Sequence, residues 1–152
     1  MTSAEINALF REKGLTLGSV ESFTGGAFAS SVVAISGASK FYIGGLVNFA
    51  SEEKIRLLGI KKEDVEQYGV VSSKIAYQMA SLGREKLAVD YCISFTGNAG
   101  PEAMENKPVG LIYIGIASPK GTKTYEYQLD GDRQKIQKRA IELAFTLLGE
   151  TL

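Results

Sequence analysis

The 152-residue chain contains no histidine, no tryptophan and a single cysteine. Without imidazole, Ser-His-Asp and Cys-His catalysis, imidazole metal ligation and the commonest general base near neutral pH are all excluded. Cys92, being alone, can form neither an internal disulfide nor a thiolate cluster. Its place in the apolar run Tyr91-Cys92-Ile93-Ser94-Phe95 marks it as a small buried hydrophobe rather than a reactive thiol. An excess of either charge is also missing. Lys plus Arg and Asp plus Glu number 17 each, so no overall field draws the chain to nucleic acid or to an anionic membrane, and any phosphate recognition must be local. No apolar run approaches the roughly 18 residues of a membrane span. The start, Met1-Thr2-Ser3-Ala4-Glu5, lacks a basic region leading into an apolar core, so a cytoplasmic location is the expectation.

What is present is an ordinary globular composition, 45% apolar and 22% charged, long enough to bury a core as one domain over residues 1–152. Ser3 reads as the cap of a first helix, with Ile6, Leu9 and Phe10 on one face and a stop near Gly14. Leu15 to Val20 is an apolar strand, followed by a helix from Ala27 to Ile35. The run Phe41 to Phe49 is strand-like but interrupted by Gly44-Gly45, which predicts a bulge or a close backbone approach. Short helices over 52–58 and 62–68 and a longer one opened by Ser72 or Ser73 follow, with Gly83 as a tolerated blemish in the last. Strands are expected over 90–95, 109–117 and 123–129, the last two joined by the turn Pro119-Lys120-Gly121-Thr122. Asp130-Gly131-Asp132 caps a final helix from Arg133 to about Leu148. Strands alternating with helices early, and a hairpin late, predict a three-layer α/β/α sandwich with a mixed, mostly parallel sheet.

Two glycine-rich turns each follow a core strand. They are Ser22-Phe23-Thr24-Gly25-Gly26 and Thr96-Gly97-Asn98-Ala99-Gly100-Pro101, and parallel strands would set both at one carboxyl edge, where open α/β sheets bind ligands. Neither fits a phosphate-binding fingerprint, and glycines that simply turn the chain explain either one taken singly. Backbone N–H groups at the first turn suit an anion or an oxyanion, and the hydroxyls of Ser22 and Thr24 stand beside them as alternative nucleophiles. Lys54, in the first turn of a short helix and on the same side as Leu58, is by default a solvated surface charge. In a cleft its pKa would fall, and a neutral amine can take the proton of a serine hydroxyl, giving an amidase scheme that needs no histidine. The polar loop 102–108 is expected to be mobile.

Eight segments occur in a fixed order: Glu-Ser-Phe-Thr-Gly-Gly (21–26), Ser-Gly-Ala-Ser (36–39), Gly-Gly-Leu-Val-Asn-Phe-Ala-Ser-Glu-Glu-Lys (44–54), Leu-Leu-Gly (57–59), Gly-Val-Val-Ser (69–72), Thr-Gly-Asn-Ala-Gly-Pro (96–101), Lys-Pro-Val-Gly (107–110) and Gly-Asp-Arg (131–133). Together they resemble the CinA C-terminal domain family, historically tied to competence and DNA damage, whose active members are nicotinamide-nucleotide amidases. The resemblance covers nearly the whole chain. It implies an α/β/α domain that converts nicotinamide mononucleotide and water to nicotinate mononucleotide and ammonia with no cofactor and no metal. Ser22 would be the nucleophile and Lys54 the base. Substrate would be held at Thr24, Gly25 and Gly26, at Thr96, Gly97, Asn98 and Gly100, and at Arg133. The partners implied are a small nucleotide and further copies of the chain in a homo-oligomer, with neither nucleic acid nor membrane.

Departures from the family pattern point to an alternative, a nucleotide-binding member with weak or no turnover. Phe49 stands where the family has a tyrosine, Glu53 adds a carboxylate beside Lys54, the 102–107 loop is shortened, and Asn98 replaces an apolar residue.

Overall fold

Every strand expected from the sequence is present in the computed structural model, which describes residues 1–152. The strands are β1 (Leu17–Glu21), β2 (Tyr42–Val47), β3 (Tyr91–Gly97), β4 (Leu111–Ser118) and β5 (Gly121–Gln128), and their order across the sheet is β2-β1-β3-β4-β5. β1 runs parallel to both β2 and β3, β4 is antiparallel to β3, and β5 is antiparallel to β4. Four strands therefore point one way and only β4 opposes them. The reversal is local: Ser118 pairs with Gly121 across the two-residue Pro119-Lys120 connection, and a link that short can join only antiparallel neighbours.

Helices cover both faces, which is why β1 and β3 are buried along their whole length. On one face lie α1 (Ser3–Lys13), α2 (Ala27–Val33) and α6 (Arg133–Thr151). Phe10, Phe28, Ile136 and Phe145 from these helices close the larger core against Ile93, Phe95 and Ile114. The other face carries α3 (Ser51–Leu58), α4 (Lys62–Tyr68) and α5 (Ser73–Leu87), where Leu58, Ile75 and Met79 pack on Val20 and Cys92. Burial pushes the Cys92 thiol up to about 12, as suits a hydrophobe rather than a nucleophile.

Differences from the sequence-based boundaries have local causes. Thr2 rather than Ser3 caps α1, because its hydroxyl accepts from the Glu5 amide while the Glu5 carboxylate reaches back to the Thr2 amide. Gly83 is a requirement rather than a blemish: a Cβ there would lie 2.4 Å from Val20 Cγ2 and 2.9 Å from Cys92 Sγ, so its absence lets α5 seat on the sheet. The Gly44-Gly45 pair does both things expected of it. The register shifts between Leu17 and Gly18 opposite that stretch, and a Cβ on Gly45 would meet Ser19 Oγ at 2.5 Å.

From β1 the chain crosses through α2 on one face to β2. It then crosses back over β1 through α3, α4 and α5 on the other face to reach β3. The carboxyl ends of β1 and β3 thus flank a topological switch point, where crossovers diverge and leave a crevice. Ser22 follows β1 directly, and Thr96 is the penultimate residue of β3.

Candidate active site

Above that switch point opens a cavity of about 440 Å³, lined by residues from five separate segments, among them Ser22, Lys54, Thr96, Asn98, Glu105 and Arg133. The volume lies within the range of small-molecule sites. Parallel pairing fixes the first of these residues. Glu21 pairs with Phe95 and the Ser22 amide donates to the Phe95 carbonyl at 3.1 Å, so Ser22 stands beside Thr96.

Lys54 comes from the opposite crossover. It shares the inward face of α3 with Leu58, and its side chain is only 1% exposed. Nζ lies 3.0 Å from Ser22 Oγ and donates to the Asn48 carbonyl at 2.9 Å. Desolvation drives the Lys54 pKa down from 10.5 to about 8, while the Glu105 carboxylate pulls the other way to a lesser extent. A substantial neutral fraction therefore exists near pH 8, with the amine in reach of the hydroxyl proton.

The carboxylate that acts on Lys54 is not the one expected. Glu53 turns outward and pairs with Arg56 at 2.6 Å, whereas Glu105 reaches the cavity from the 102–108 loop. Phe49 lines the mouth but is 64% exposed, and both partners of Lys54 come from other residues.

The first glycine turn is arranged differently from the expectation. Thr24, Gly25 and Gly26 do not line the cavity. The Gly25 amide closes the turn onto the Ser22 carbonyl, while Glu21, a 1%-exposed carboxylate, accepts from Thr24 Oγ1 at 2.7 Å, from the Gly26 amide at 3.2 Å, and from the Phe28 and Ala29 amides at 3.0 Å. An internal anion thus already occupies the amino end of α2, where an anion is stabilised by free N–H groups. Thr24 thus lies off the cavity wall with its hydroxyl bonded to Glu21, whereas Ser22 lines the cavity. Of this turn, the Phe23 amide, next to Ser22, reaches the cavity wall without a protein acceptor.

The second turn does face the cavity through Thr96, Gly97, Asn98, Ala99 and Gly100. Thr96 Oγ1 donates to the Val70 carbonyl at 2.6 Å, so only its lone pairs remain for a ligand. The amides of Ala99 and Gly100 have no acceptor within the protein. Arg133, the first residue of α6, donates through Nη1 to the Gly100 carbonyl and lines the same wall.

Across the mouth, the loop expected to be mobile is fastened at two points. The Glu105 carboxylate accepts from the Val70 and Val71 amides at 2.8 and 3.1 Å. Lys107 Nζ donates to the Tyr68 and Val71 carbonyls. Sequence reasoning missed Glu21, Phe23, Asn48, Glu105 and Lys107 as parts of the site. Glu21 carried a usable signal, a carboxylate just ahead of a helix start; the partners of Glu105 and Lys107 lie more than thirty residues away and left no local mark.

An α/β/α domain with a buried serine–lysine pair at the switch point of a mixed sheet belongs to the open α/β folds, which bind ligands at that edge. The family model for the CinA C-terminal domain matches residues 1–152, and the chain belongs to that family. It is 36% identical over 94% of its length to a CinA-like protein of Flavobacterium psychrophilum and 39% identical over 95% to a CinA-like protein of Kosmotoga olearia. It covers 34% and 35% of these relatives, so the chain spans about a third of their length. The crystal structure of a competence-damaged protein (CinA) superfamily protein from Escherichia coli superposes with a TM-score of 0.96, at 29% identity over 99% of this chain and 88% of that one. The competence/damage inducible protein CihA from Agrobacterium tumefaciens gives 0.92, at 29% identity over 96% and 90%.

Proposed function

We propose that this chain is a nicotinamide-nucleotide amidase, hydrolysing the carboxamide of nicotinamide mononucleotide to the carboxylate and ammonia through Ser22 and Lys54. The observation that carries the reading is the 3.0 Å contact between a buried amine with lowered pKa and a hydroxyl at the cavity wall. Neutral Lys54 removes the Ser22 proton as Oγ attacks the carboxamide carbon. The Phe23 amide, which has no acceptor in the protein, serves in this reading as a donor to the developing oxyanion, and a lost donor of this kind costs about a hundredfold or more in rate. The lysine ammonium then returns its proton to the departing nitrogen, and ammonia leaves. Water, deprotonated by the same amine, attacks the acyl-serine, and the proton passes back to Oγ as the acid is released. The remaining N–H groups of Arg133 and the free amides of Ala99 and Gly100 supply donors for the phosphate.

The test is ammonia release from nicotinamide mononucleotide by the purified protein against a Ser22→Ala control. Expected is turnover that the substitution abolishes while calorimetric binding persists. Equal release by both proteins would overturn the mechanism, and binding without turnover in the unsubstituted protein would leave a nucleotide-binding module.

A further inference from the structure

Asn98 is 2% exposed, and its amide orientation is fixed by chemistry rather than by choice. Its Nδ2 lies 3.1 Å from the Lys107 carbonyl, which can only accept, so the nitrogen must face that carbonyl and Oδ1 must face away. The backbone of Asn98 is likewise committed, N–H to the Leu111 carbonyl and C=O to the Gly110 amide. Oδ1 accepts from no protein donor, yet it is not among the side-chain atoms sealed from solvent without a partner; that condition is met only by Asn48. Since Asn98 lines the cavity, the opening to which its oxygen is exposed is the cavity itself.

Resting on the amidase reading, we infer that Asn98 Oδ1 is a specificity-determining acceptor that takes one hydrogen-bond donor of the bound nucleotide, either a ribose hydroxyl or the carboxamide N–H. The oxygen is held by the same loop that Lys107 fastens to the α4–α5 turn, so the acceptor is positioned before ligand arrives. A preset buried acceptor penalises a ligand that brings no donor, because its oxygen is then desolvated and unpaired. An apolar side chain of similar size imposes no such penalty.

The experiment compares the unsubstituted protein, Asn98→Leu and Asn98→Asp on three ligands: nicotinamide mononucleotide, its 2′,3′-dideoxyribose analogue, and the analogue with a methyl ester in place of the carboxamide. Turnover is read as kcat/KM, and affinity by calorimetry on the Ser22→Ala background. Both substitutions remove the donor to the Lys107 carbonyl, but only leucine removes the acceptor. Expected is roughly tenfold discrimination by the unsubstituted protein against one analogue. Aspartate should retain that discrimination and leucine should lose it. Loss confined to the dideoxy compound assigns a hydroxyl, and loss confined to the ester assigns the amide N–H. Should Asn98→Leu fail to fold, Asn98→Ala takes its place. Unchanged discrimination in both variants, whatever their stability, would overturn the assignment to Asn98 while leaving the amidase reading intact. Binding without turnover would overturn the amidase reading, and Asn98 would then be judged on the affinities. No binding by the unsubstituted protein would overturn both.

Discussion

Replacing Lys54 by methionine should abolish turnover and at the same time change the pH dependence of stability in a defined way. The ammonium form is held at a cost: a pKa of about 8 in place of 10.5 corresponds to roughly 3 kcal/mol against the charged state. Below pH 8 folded and unfolded chains both hold the proton, and the folded protein bears that cost in full. Between about 8 and 10.5 the unfolded chain binds a proton that the folded chain has released, so stability rises with pH across that window. Lys54→Met removes this dependence. It also leaves the Asn48 carbonyl and Ser22 Oγ without their partner, a loss of about 1–3 kcal/mol that does not vary with pH. Urea unfolding of both proteins at pH 7 and pH 10 isolates the lysine, since every other titrating group is common to the pair. The stability difference should move by about 2–3 kcal/mol in favour of the lysine protein between the two conditions. A difference that stays constant would refute the claim that the amine is buried against its charge, and with it the claim that it is available as a base.

Two further substitutions separate roles within the site. Glu105→Gln removes the carboxylate that favours the Lys54 ammonium, so the rising limb of kcat/KM against pH should move below its position in the unsubstituted protein; a limb that stays in place or moves up would refute the charge of Glu105 as its dominant influence on Lys54. Thr24→Val deletes the hydroxyl bonded to Glu21 and should lower stability by about 1–2 kcal/mol in urea unfolding while retaining measurable turnover. Loss of activity as complete as that of Ser22→Ala would reinstate Thr24 as a nucleophile.

The sheet was legible because its central strands announce themselves. Up to Val20 in β1 and across Tyr91 to Gly97 in β3, the residues are mostly apolar or small, bounded by turn residues, and the runs are long enough for strands but too short for core helices. Lys54 was legible as well, since helical spacing puts it on the face that carries Leu58. What the turn at 22–26 does with its amides was not legible. A glycine-rich strand-to-helix turn presents donors, but whether a ligand or a side chain takes them depends on the rotamer of Glu21, which no spacing encodes. The same limit applies to the 102–108 loop. Its polarity reads as solvation, yet two of its charged residues are spent on backbone groups of the α4–α5 turn. Gly83 shows the converse error: propensity counts it as a helix defect, while packing against Val20 and Cys92 admits nothing larger.

The internal anion at the start of α2 decides which force prepares the base. An open helix amino terminus near the cavity would have lowered the pKa of a neighbouring amine through its positive end. Here Glu21 accepts from the Gly26, Phe28 and Ala29 amides, so those donors are already taken by a carboxylate of the chain itself. Lys54 must then owe its lowered pKa to exclusion of water, in agreement with desolvation being the larger influence on it. A base prepared by dryness depends on whatever keeps its surroundings closed. In this chain that is α3 packed through Leu58 on one side, and on the other the 102–108 loop, held to Val70 and Val71 by Glu105 and Lys107. Glu105 therefore acts on Lys54 in two opposed ways. Its charge favours the ammonium directly, while its clasp holds closed the loop that keeps the amine dry and so favours the neutral form. On the amidase reading the loop and the helix both serve the base, for the same physical reason, although neither supplies the nucleophile.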